Sequence, residues 1–330
     1  MADRDSLWTS ELNDADGEVF DRFVLEAKSG HYAQTRAWAK VATEGRPLSA
    51  RYFMRRDAKR VIGAALVLRG TAGPLPLPFA MVERGPVVAD PGDLPDVLSA
   101  LISAAHLHGV FRLHVQPYWA DAETDQAAAF LGRAGFRDVQ TFDGPHASTI
   151  RVDLATKTEE AVFAGKAREQ VRWRTRQAER AGVTARRGER PDFEEHIALS
   201  GQLLSAQGKR DKPRRWYDAL WSFLGDSRRG AFFVCEHERS VLGSVVALRH
   251  GALATYAYGA TSAADHKFSK SILPLVLAVK WARNEGCTAF DLGGVPLEGD
   301  PDAKRVAIAM LKADFSKTRT PLVREHARWL

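Results

Sequence analysis

The sequence predicts an α/β (α+β) protein built from two tandem domains of the same kind. Its 330 residues are enough for two ordinary domains, and one segment occurs twice, at residues 53–69 and 233–249. The two copies align without a gap, and each is typical of a β-hairpin with a charged turn. Both copies place a glycine, Gly63 or Gly243, early in the second strand, which predicts a bulge or a close backbone approach.

The same succession of elements follows each hairpin. A strand, a helix and a buried strand are predicted at 80–88, 94–108 and 110–116, and again at 253–259, 271–285 and 287–292. Gly109 and Gly286 end the two long helices, as glycine commonly does, and a further helix ends at Gly135. This order is that of the GNAT acyltransferase fold. We therefore expect two GNAT-like domains, residues 1–153 and 154–330, packed closely together.

Apolar periodicity predicts the remaining helices. They lie at 18–28, 34–43, 160–181, 193–207, 215–224 and 302–315. Five prolines between residues 71 and 91 exclude a helix there and predict a stiff surface segment beside an edge strand.

Composition excludes several classes of protein. A hydrophobic fraction of 45% excludes disorder, and two cysteines, Cys235 and Cys287, exclude a disulfide scaffold and favour a reducing compartment. The polar, acidic start predicts no signal peptide. The longest apolar stretch, 271–282, contains Pro274 and Lys280 and is too short to span a membrane. We expect a cytoplasmic protein without a membrane span, acting as a monomer.

The excess positive charge is concentrated in one stretch. The formal net charge is +6, yet residues 166–215 alone contain 14 Lys and Arg against 7 Asp and Glu. Such a concentration indicates a site for a polyanion, and a solvated helical face is the alternative. The stripe residues are Lys166, Arg168, Arg172, Arg176 and Arg180, whose arginines recur every four residues along the predicted helix.

Two further features accompany this basic stretch. Trp173 lies off the stripe and is expected in the core. A second basic cluster stands beside Trp216 and Tyr217 and consists of Lys209, Arg210, Lys212, Arg214 and Arg215.

Familiar catalytic constellations are missing from the sequence. The string at 60–65 fits a coenzyme A pyrophosphate loop, but it lies inside the predicted hairpin with no helix after it, so no coenzyme A is expected. No carboxylate or cysteine completes a metal site around His106, His108 and His114, so no metal is expected. No nucleophile turn or Walker-type loop occurs.

Five ordered motifs resemble those of the FemABX peptidyltransferases. They are Gln34-Thr-Arg-Ala-Trp38, the Lys166–Val183 helix, Tyr256-Ala-Tyr-Gly-Ala-Thr261, Phe290-Asp-Leu-Gly-Gly-Val295 and Leu311-Lys-Ala-Asp-Phe315. That family combines a tandem GNAT-like fold with the transfer of an amino acid from aminoacyl-tRNA to an amine, usually on a peptidoglycan-precursor stem peptide.

The resemblance implies roles for individual residues. Lys312 would be the catalytic cation beside the reacting ester, and Lys40, Arg214, Tyr217 and Tyr256 would hold the acceptor. The basic stripe would bind tRNA, and no cofactor other than aminoacyl-tRNA would be needed.

Sequence alone adds a few residues to this site. Tyr258 is expected on the same face as Tyr256, so that at least one of the two lines the cleft. Asp291, Gly293 and Gly294 would form the loop near the site, where glycines allow the backbone to approach a ligand closely.

The sequence also departs from the family pattern. Leu311 and Ser316 replace a Phe and a Gly, Gln116 precedes Pro117 where Asp-Pro is frequent, and no returning helix of a coiled-coil arm follows residue 181. The shorter members of the family are therefore the closer match. Three alternatives stay open: the same chemistry on a peptide-antibiotic amine, a coenzyme A-dependent N-acetyltransferase, and a non-catalytic RNA-binding module.

Overall fold

A computed structural model describes residues 5–139, 148–155, 158–264, 266–296 and 303–330. Two predictions concern residues outside this range. They are the absence of a signal peptide, which involves residues 1–4, and the start of the predicted helix 302–315 at residue 302. The chain forms two compact units, residues 1–147 with 321–330, and residues 148–320. The predicted division at 153/154 therefore differs from the observed one at two points, because the segment 148–153 joins the second unit and the last ten residues return to the first.

The helices are α1 (Asp14–Glu26), α2 (Arg36–Thr43), α3 (Leu94–Leu107), α4 (Glu123–Arg133), α5 (Glu159–Val162), α6 (Glu169–Arg180), α7 (Arg190–Ser205), α8 (Arg214–Leu224), α9 (Ile272–Asn284) and α10 (Ala303–Phe315). The strands are β1 (Ser6–Thr9), β2 (Leu48–Asp57), β3 (Arg60–Ala72), β4 (Leu75–Val82), β5 (Val87–Val88), β6 (Arg112–Val115), β7 (Arg137–Asp138), β8 (Ser148–Asp153), β9 (Thr184–Arg187), β10 (Gly230–His237), β11 (Ser240–His250), β12 (Leu253–Thr261), β13 (Ala289–Val295), β14 (Arg319–Pro321) and β15 (His326–Trp329). None of the described helices combines the length and apolarity that crossing a membrane requires.

The first unit is built around a sheet with the strand order β1-β2-β3-β4-β6-β15-β7, and β5 pairs with β3. Helix α3 buries Leu94, Leu98 and Leu101 in a core that includes Phe53 of β2. The next residue of β2, Met54, faces the other side and packs in a separate cluster with Phe20 of α1. Strand β4 lies between β3 and β6 in spite of its prolines, so the expectation of a surface segment beside an edge strand is wrong.

The second unit repeats this plan with the strand order β14-β8-β13-β12-β11-β10-β9. Strands β12 and β13 are parallel, and α9 buries Ile272, Leu275 and Val279 against the main core of the unit. Aromatic side chains of α7 and α8 pack on the opposite face, where Phe193 meets Phe232 edge-on. The two halves are thus tandem GNAT-like domains, as the sequence predicts.

The repeated hairpins carry the same irregularity at equivalent positions. The register of β2 on β3 shifts between Arg55 and Arg56, and that of β10 on β11 shifts between Cys235 and Glu236. A β-carbon on Gly63 would lie 2.3 Å from Val97 of α3, and one on Gly243 would lie 2.3 Å from a main-chain oxygen. Both predicted roles of these glycines, a bulge and a close approach, are confirmed.

The predicted helix 160–181 is wrong as a single element. It consists of α5, a 3-10 turn at Lys166–Arg168, and α6. Gly165 separates the pieces with a φ of +78°, a conformation that only glycine adopts readily and that an α-helix excludes. After α6 the chain turns at Gly182 into β9, with no returning helix, which agrees with the predicted absence of a coiled-coil arm.

Candidate active site

Strand β13 bulges where it passes β8. Asp291 pairs with Arg151 and Gly294 pairs with Thr149, so two residues of β13 stand opposite a single residue of β8. Gly293, one of the two, has a φ of +77°. Such a bulge needs glycine at the position of positive φ and re-aims the backbone that follows it. The bulge thereby determines where the carbonyl group of Gly294 points.

Asp291 holds the bulge from inside the unit. Its side chain is almost completely buried and accepts hydrogen bonds from the main-chain N–H of Gly293, at 2.7 Å, and from the Thr149 hydroxyl. The Arg151 guanidinium lies 3.3 Å from the other carboxylate oxygen. A buried carboxylate with this many donors stabilises one backbone conformation, because each lost bond would leave a charge without solvation. Asp291 is therefore a positioning residue for the loop.

Lys312 lies on α10 with only 7% of its surface exposed. Its ammonium donates a hydrogen bond of 2.8 Å to the carbonyl oxygen of Gly294 and lies 5.8 Å from the centre of the Tyr256 ring. Burial lowers the pKa of Lys312 to about 8, and the negative charge of Asp291 opposes that shift. A cation in this setting keeps its proton at neutral pH but is close to its titration range.

The two tyrosines of β12 lie on opposite faces of the sheet, so the prediction of a shared face is wrong. Tyr256 pairs with Ala247 and Tyr258 pairs with Val246, two consecutive residues of β11, because β12 has a bulge between them. Tyr256 packs against the main core beside Lys312. Tyr258 instead meets Trp216 edge-on, with ring centres 5.1 Å apart.

The phenol ring of Tyr256 is part of the Lys312 site. Burial raises the pKa of Tyr256 to about 12, so its hydroxyl stays neutral at physiological pH. Within the described residues this hydroxyl has no hydrogen-bond partner. It lies over Gly259, where a β-carbon would come within 2.0 Å of it. Glycine at this position therefore creates the space for the ring.

An ion pair that the sequence analysis did not find fixes α10. The Arg174 side chain of α6 donates a 2.8 Å hydrogen bond to Asp314, which is itself buried. Asp314 lies two residues beyond Lys312, so the pair sets the position of the helix that carries the ammonium. No local pattern indicates this contact, because its partners are far apart in sequence.

Arg214 and Tyr217, which the resemblance implies at the acceptor, take other partners within the second unit, and Lys40 belongs to the first unit. Lys40 is exposed on α2 of the first unit. Arg214 is exposed at the start of α8, where it makes a bidentate ion pair with Glu194 and contacts Asp218.

Tyr217, by contrast, is only 2% exposed. Its hydroxyl lies within hydrogen-bonding distance of Asp211 and Ser200. As placed, Tyr217 packs inside the second unit and offers no open binding position.

The arginine stripe is only partly available to a ligand. Lys166, Arg176 and Arg180 are exposed, and none of them has an ion-pair partner among the described residues. Arg172 is engaged within the protein, because its guanidinium bonds to the carbonyl groups of Phe163 and Gly165. Arg168 is half-buried before the first turn of α6.

Trp173 contradicts its predicted place in the core, since 48% of its surface is exposed. The second basic cluster, Lys209, Arg210, Lys212, Arg214 and Arg215, is exposed around the start of α8, as a loop entering a helix would be. Lys166, Arg176 and Arg180, with the exposed Trp173 between them in sequence, give the α6 region a basic surface with one aromatic side chain, which suits an anionic polymer.

The chemistry available at Lys312 is electrostatic rather than covalent. A buried ammonium stabilises negative charge that develops on a nearby oxygen, and it does so more strongly than in water. Within the described residues, no group of three or more His, Cys, Asp and Glu side chains converges as a metal ion requires. The string at 60–65, which fits a coenzyme A loop, begins β3, where Gly63 pairs with both Arg55 and Val88.

Comparison with known proteins agrees with this description. The sequence matches the acetyltransferase (GNAT) domain over residues 165–305 and the FemAB family over residues 16–229. Fold and matches together define a transferase of the tandem GNAT-like acyltransferase class. Within that class, the chain belongs to the FemAB family. Comparison with curated proteins gives no significant match.

Solved structures share the fold at low sequence identity. FemX superposes with a TM-score of 0.77 at 16% identity, covering 98% of this chain and 97% of that one. L-PGS from Bacillus licheniformis gives a TM-score of 0.62 at 15% identity, covering 97% and 93%. A tandem GNAT protein from the clavulanic acid biosynthesis pathway gives 0.59 at 15% identity, covering 98% of both chains.

Proposed function

We propose that this protein transfers an amino acid from aminoacyl-tRNA to an amine of a peptidoglycan-precursor stem peptide. The observation that carries the proposal is the buried ammonium of Lys312, held on the Gly294 carbonyl beside Tyr256. The chain belongs to the FemAB family, and the resemblance of Leu311-Lys-Ala-Asp-Phe315 to a motif of that family supports a role for this lysine. The exposed cations of α6 support a polyanionic co-substrate.

The proposed reaction needs no cofactor, because the aminoacyl ester is already activated. The neutral acceptor amine attacks the carbonyl carbon of the ester, and the carbonyl oxygen gains negative charge. Lys312 donates to this oxyanion. The bond to the ribose oxygen then breaks, an amide remains, and the proton lost by the amine leaves with the ribose hydroxyl, directly or through water.

The protonation state of Lys312 suits this role. With a pKa of about 8, the side chain carries its proton in about nine of ten molecules at pH 7. We assign the acceptor to this site through Lys312 and Tyr256. Tyr256 supports this assignment, since its ring lies beside the ammonium and its neutral hydroxyl lacks a partner among the described residues.

The test is a transfer assay with tRNA charged with radiolabelled amino acids and a panel of amine acceptors. The panel contains a nucleotide-linked stem peptide and a small peptide antibiotic, because the second acceptor class is the alternative. The proposal predicts label in an amide product of the stem peptide, abolished by prior RNase treatment. Transfer to the antibiotic alone would reassign the acceptor, and no RNase-sensitive transfer to any amine would refute aminoacyl-tRNA dependence.

The coenzyme A alternative has its own test. An N-acetyltransferase would be stabilised against heat by acetyl-coenzyme A, because binding to the native state raises the melting temperature. We expect no such shift, since the one string that fits a pyrophosphate loop is paired on both sides within β3. A concentration-dependent rise in melting temperature would favour the alternative.

A further inference from the structure

An arginine-lined cleft of about 660 Å³ opens in the first unit, beside β6, β15 and β7. The end of α4 and these strands contribute its walls. Its charged lining residues are Arg112, Arg133, Arg137 and Arg328, and the ring of Trp329 completes it. No carboxylate is found among the described residues that line it. None of these side chains takes part in the Lys312 site, which belongs to the second unit.

The four guanidinium groups lack acidic partners throughout the described part of the chain. Arg328 bonds to the carbonyl group of Ala134 at the end of α4, and Arg133 lies over the Phe130 ring. The Arg112 guanidinium lies 5.1 Å from the centre of the Trp329 ring, and its Nε is buried without a hydrogen-bond partner among the described residues.

Other arginines of the same unit are paired differently. Arg36, Arg55 and Arg56 each bond to an aspartate at 2.7–2.8 Å. Four unpaired like charges around one cleft repel one another, and an anion placed among them removes that repulsion. The cleft is therefore electrostatically complementary to a ligand with more than one negative charge.

We propose that this cleft binds a nucleotide unit, its phosphate groups on the arginines and its base on Trp329. Guanidinium groups match phosphate oxygens in bidentate geometry. Trp329 is 71% exposed, so much of its ring is open to a base, and stacking on an aromatic side chain is how proteins commonly hold single bases. The volume of the cleft lies in the usual range of about 300–1,000 Å³ for small-ligand sites.

The same chemistry is offered by a single-stranded segment of RNA and by a free nucleoside diphosphate. The experiment therefore measures fluorescence anisotropy with a labelled single-stranded oligoribonucleotide and, separately, with a labelled nucleoside diphosphate, each at several salt concentrations. Binding of the oligoribonucleotide alone identifies the source as RNA, and binding of the diphosphate alone identifies it as the free nucleotide. Either result supports the site if the variants below respond.

Two variants probe the cleft and one serves as a matched control. Arg133→Ala/Arg137→Ala removes two exposed charges from the lining, and Trp329→Ala removes the exposed ring. Arg22→Ala/Lys59→Ala removes the same number of exposed charges, likewise without acidic partners among the described residues, from the same unit and outside the cleft.

We expect the arginine variant to bind about tenfold more weakly, with a salt slope shallower by about 1 to 2. Trp329→Ala should bind about tenfold more weakly with its salt slope unchanged, because stacking releases no counterions. The control should bind like the wild type. If neither probe binds, or if the control loses as much affinity as the cleft variants, the proposal is overturned. Aminoacyl transfer is not measured here, so this outcome is independent of the proposed function.

Discussion

The side-chain nitrogen of Lys312 and the main-chain oxygen of Gly294 lie 2.8 Å apart and form a hydrogen bond. This bond joins α10 to the bulge of β13, so the ammonium is positioned by two separate elements. The bulge depends on the positive φ of Gly293, and α10 depends on the ion pair between Arg174 and Asp314. A cation held from both sides loses little freedom when a substrate binds, which favours electrostatic catalysis.

The burial of Lys312 predicts a pH-dependent contribution to stability. Its pKa is lowered to about 8 in the folded protein, against about 10.4 in an unfolded chain. Between these values the unfolded chain holds more protons than the folded one, so the wild type gains stability as pH rises. Lys312→Met lacks this gain, so its free energy of unfolding relative to wild type should fall between about pH 7.5 and 10, by on the order of 2 kcal/mol.

Denaturant unfolding at several pH values measures this difference. The control is Lys317→Met, which removes an exposed lysine a few residues away. The difference in free energy of unfolding between Lys317→Met and the wild type should stay constant over the same pH range. A constant difference for Lys312→Met as well would show that the ammonium titrates normally.

Asp291 should set the alkaline limit of activity. Its negative charge raises the pKa of Lys312 against the effect of burial, so Asp291→Asn should move that pKa below about 8. The oxygen of asparagine can still accept from Thr149 and Gly293, which favours retention of the bulge. Transfer that needs the ammonium should then decline at lower pH than in the wild type.

A pH–rate profile of transfer measures the effect. Asp226→Asn is the control, because Asp226 pairs with Arg228 and does not contribute to the pKa of Lys312. Its alkaline limit should remain where the wild type has it. If the alkaline limit of Asp291→Asn is not shifted, deprotonation of Lys312 is not the cause of the decline in activity at high pH.

Gly259→Ala should displace the Tyr256 ring. The new β-carbon would lie 2.0 Å from the tyrosine hydroxyl oxygen, so the ring must move and its contact with Lys312 changes. We expect a loss of about 1–3 kcal/mol in the free energy of unfolding together with slower transfer. Gly132→Ala on α4, where no atom outside the helix's own backbone lies within 4 Å of the new carbon, should leave transfer unchanged and should not lower the free energy of unfolding, because alanine is the better helix former. Normal transfer by Gly259→Ala would exclude Tyr256 from the site.

His196 should make the protein sensitive to acid. It is buried with its Nδ1 2.8 Å from the Ser244 hydroxyl, and burial lowers its pKa to about 4. The unfolded chain binds the proton near pH 6.5, so stability is lost as pH falls from about 6.5 to 4. In His196→Gln, the free energy of unfolding should fall less over this pH range, by up to about 3 kcal/mol. Denaturant unfolding at pH 7 and 4.5 checks this, and the exposed His106→Gln should leave the loss intact.

The exposed arginines of the stripe should contribute to tRNA binding but not to the stability of the fold. Arg176→Ala/Arg180→Ala should weaken tRNA binding and reduce the salt slope by about 1 to 2, with unchanged stability. Arg172→Ala should instead destabilise the protein, because the carbonyl groups of Phe163 and Gly165 lose their donor. Filter binding and thermal unfolding separate the two effects. Unchanged tRNA affinity in the double variant would place tRNA elsewhere.

Local patterns were sufficient to predict the duplicated hairpins and the helices α3 and α9 that follow them. The glycines at 109 and 286 end α3 and α9 with positive φ, as their position after an apolar periodic run predicts. The bulges beside Gly63 and Gly243 were predictable because a glycine early in a strand often marks a bulge. The close approaches made at both glycines leave no space for a β-carbon. Lys312 was found through a family motif, and its burial could not be derived from a polar residue in a helical pattern.

The features that sequence reasoning missed depend on distant contacts or on single irregular residues. The bulge at residue 257 reverses the face of Tyr258 relative to Tyr256, and an alternating pattern contains no sign of it. Arg174 and Asp314 are 140 residues apart. The return of β15 to the first sheet is likewise a long-range pairing, with β6 as its partner.

The most direct test of the central claim is the rate of aminoacyl transfer by Lys312→Met, compared with Lys317→Met and the wild type, at saturating acceptor and pH 7. Single-turnover transfer from labelled aminoacyl-tRNA isolates the chemical step from product release. We expect Lys312→Met to bind tRNA normally but to transfer at least about 100-fold more slowly, as loss of an oxyanion donor does, while Lys317→Met should match the wild type. Wild-type transfer by a folded Lys312→Met protein would contradict the proposed role of the Lys312 ammonium.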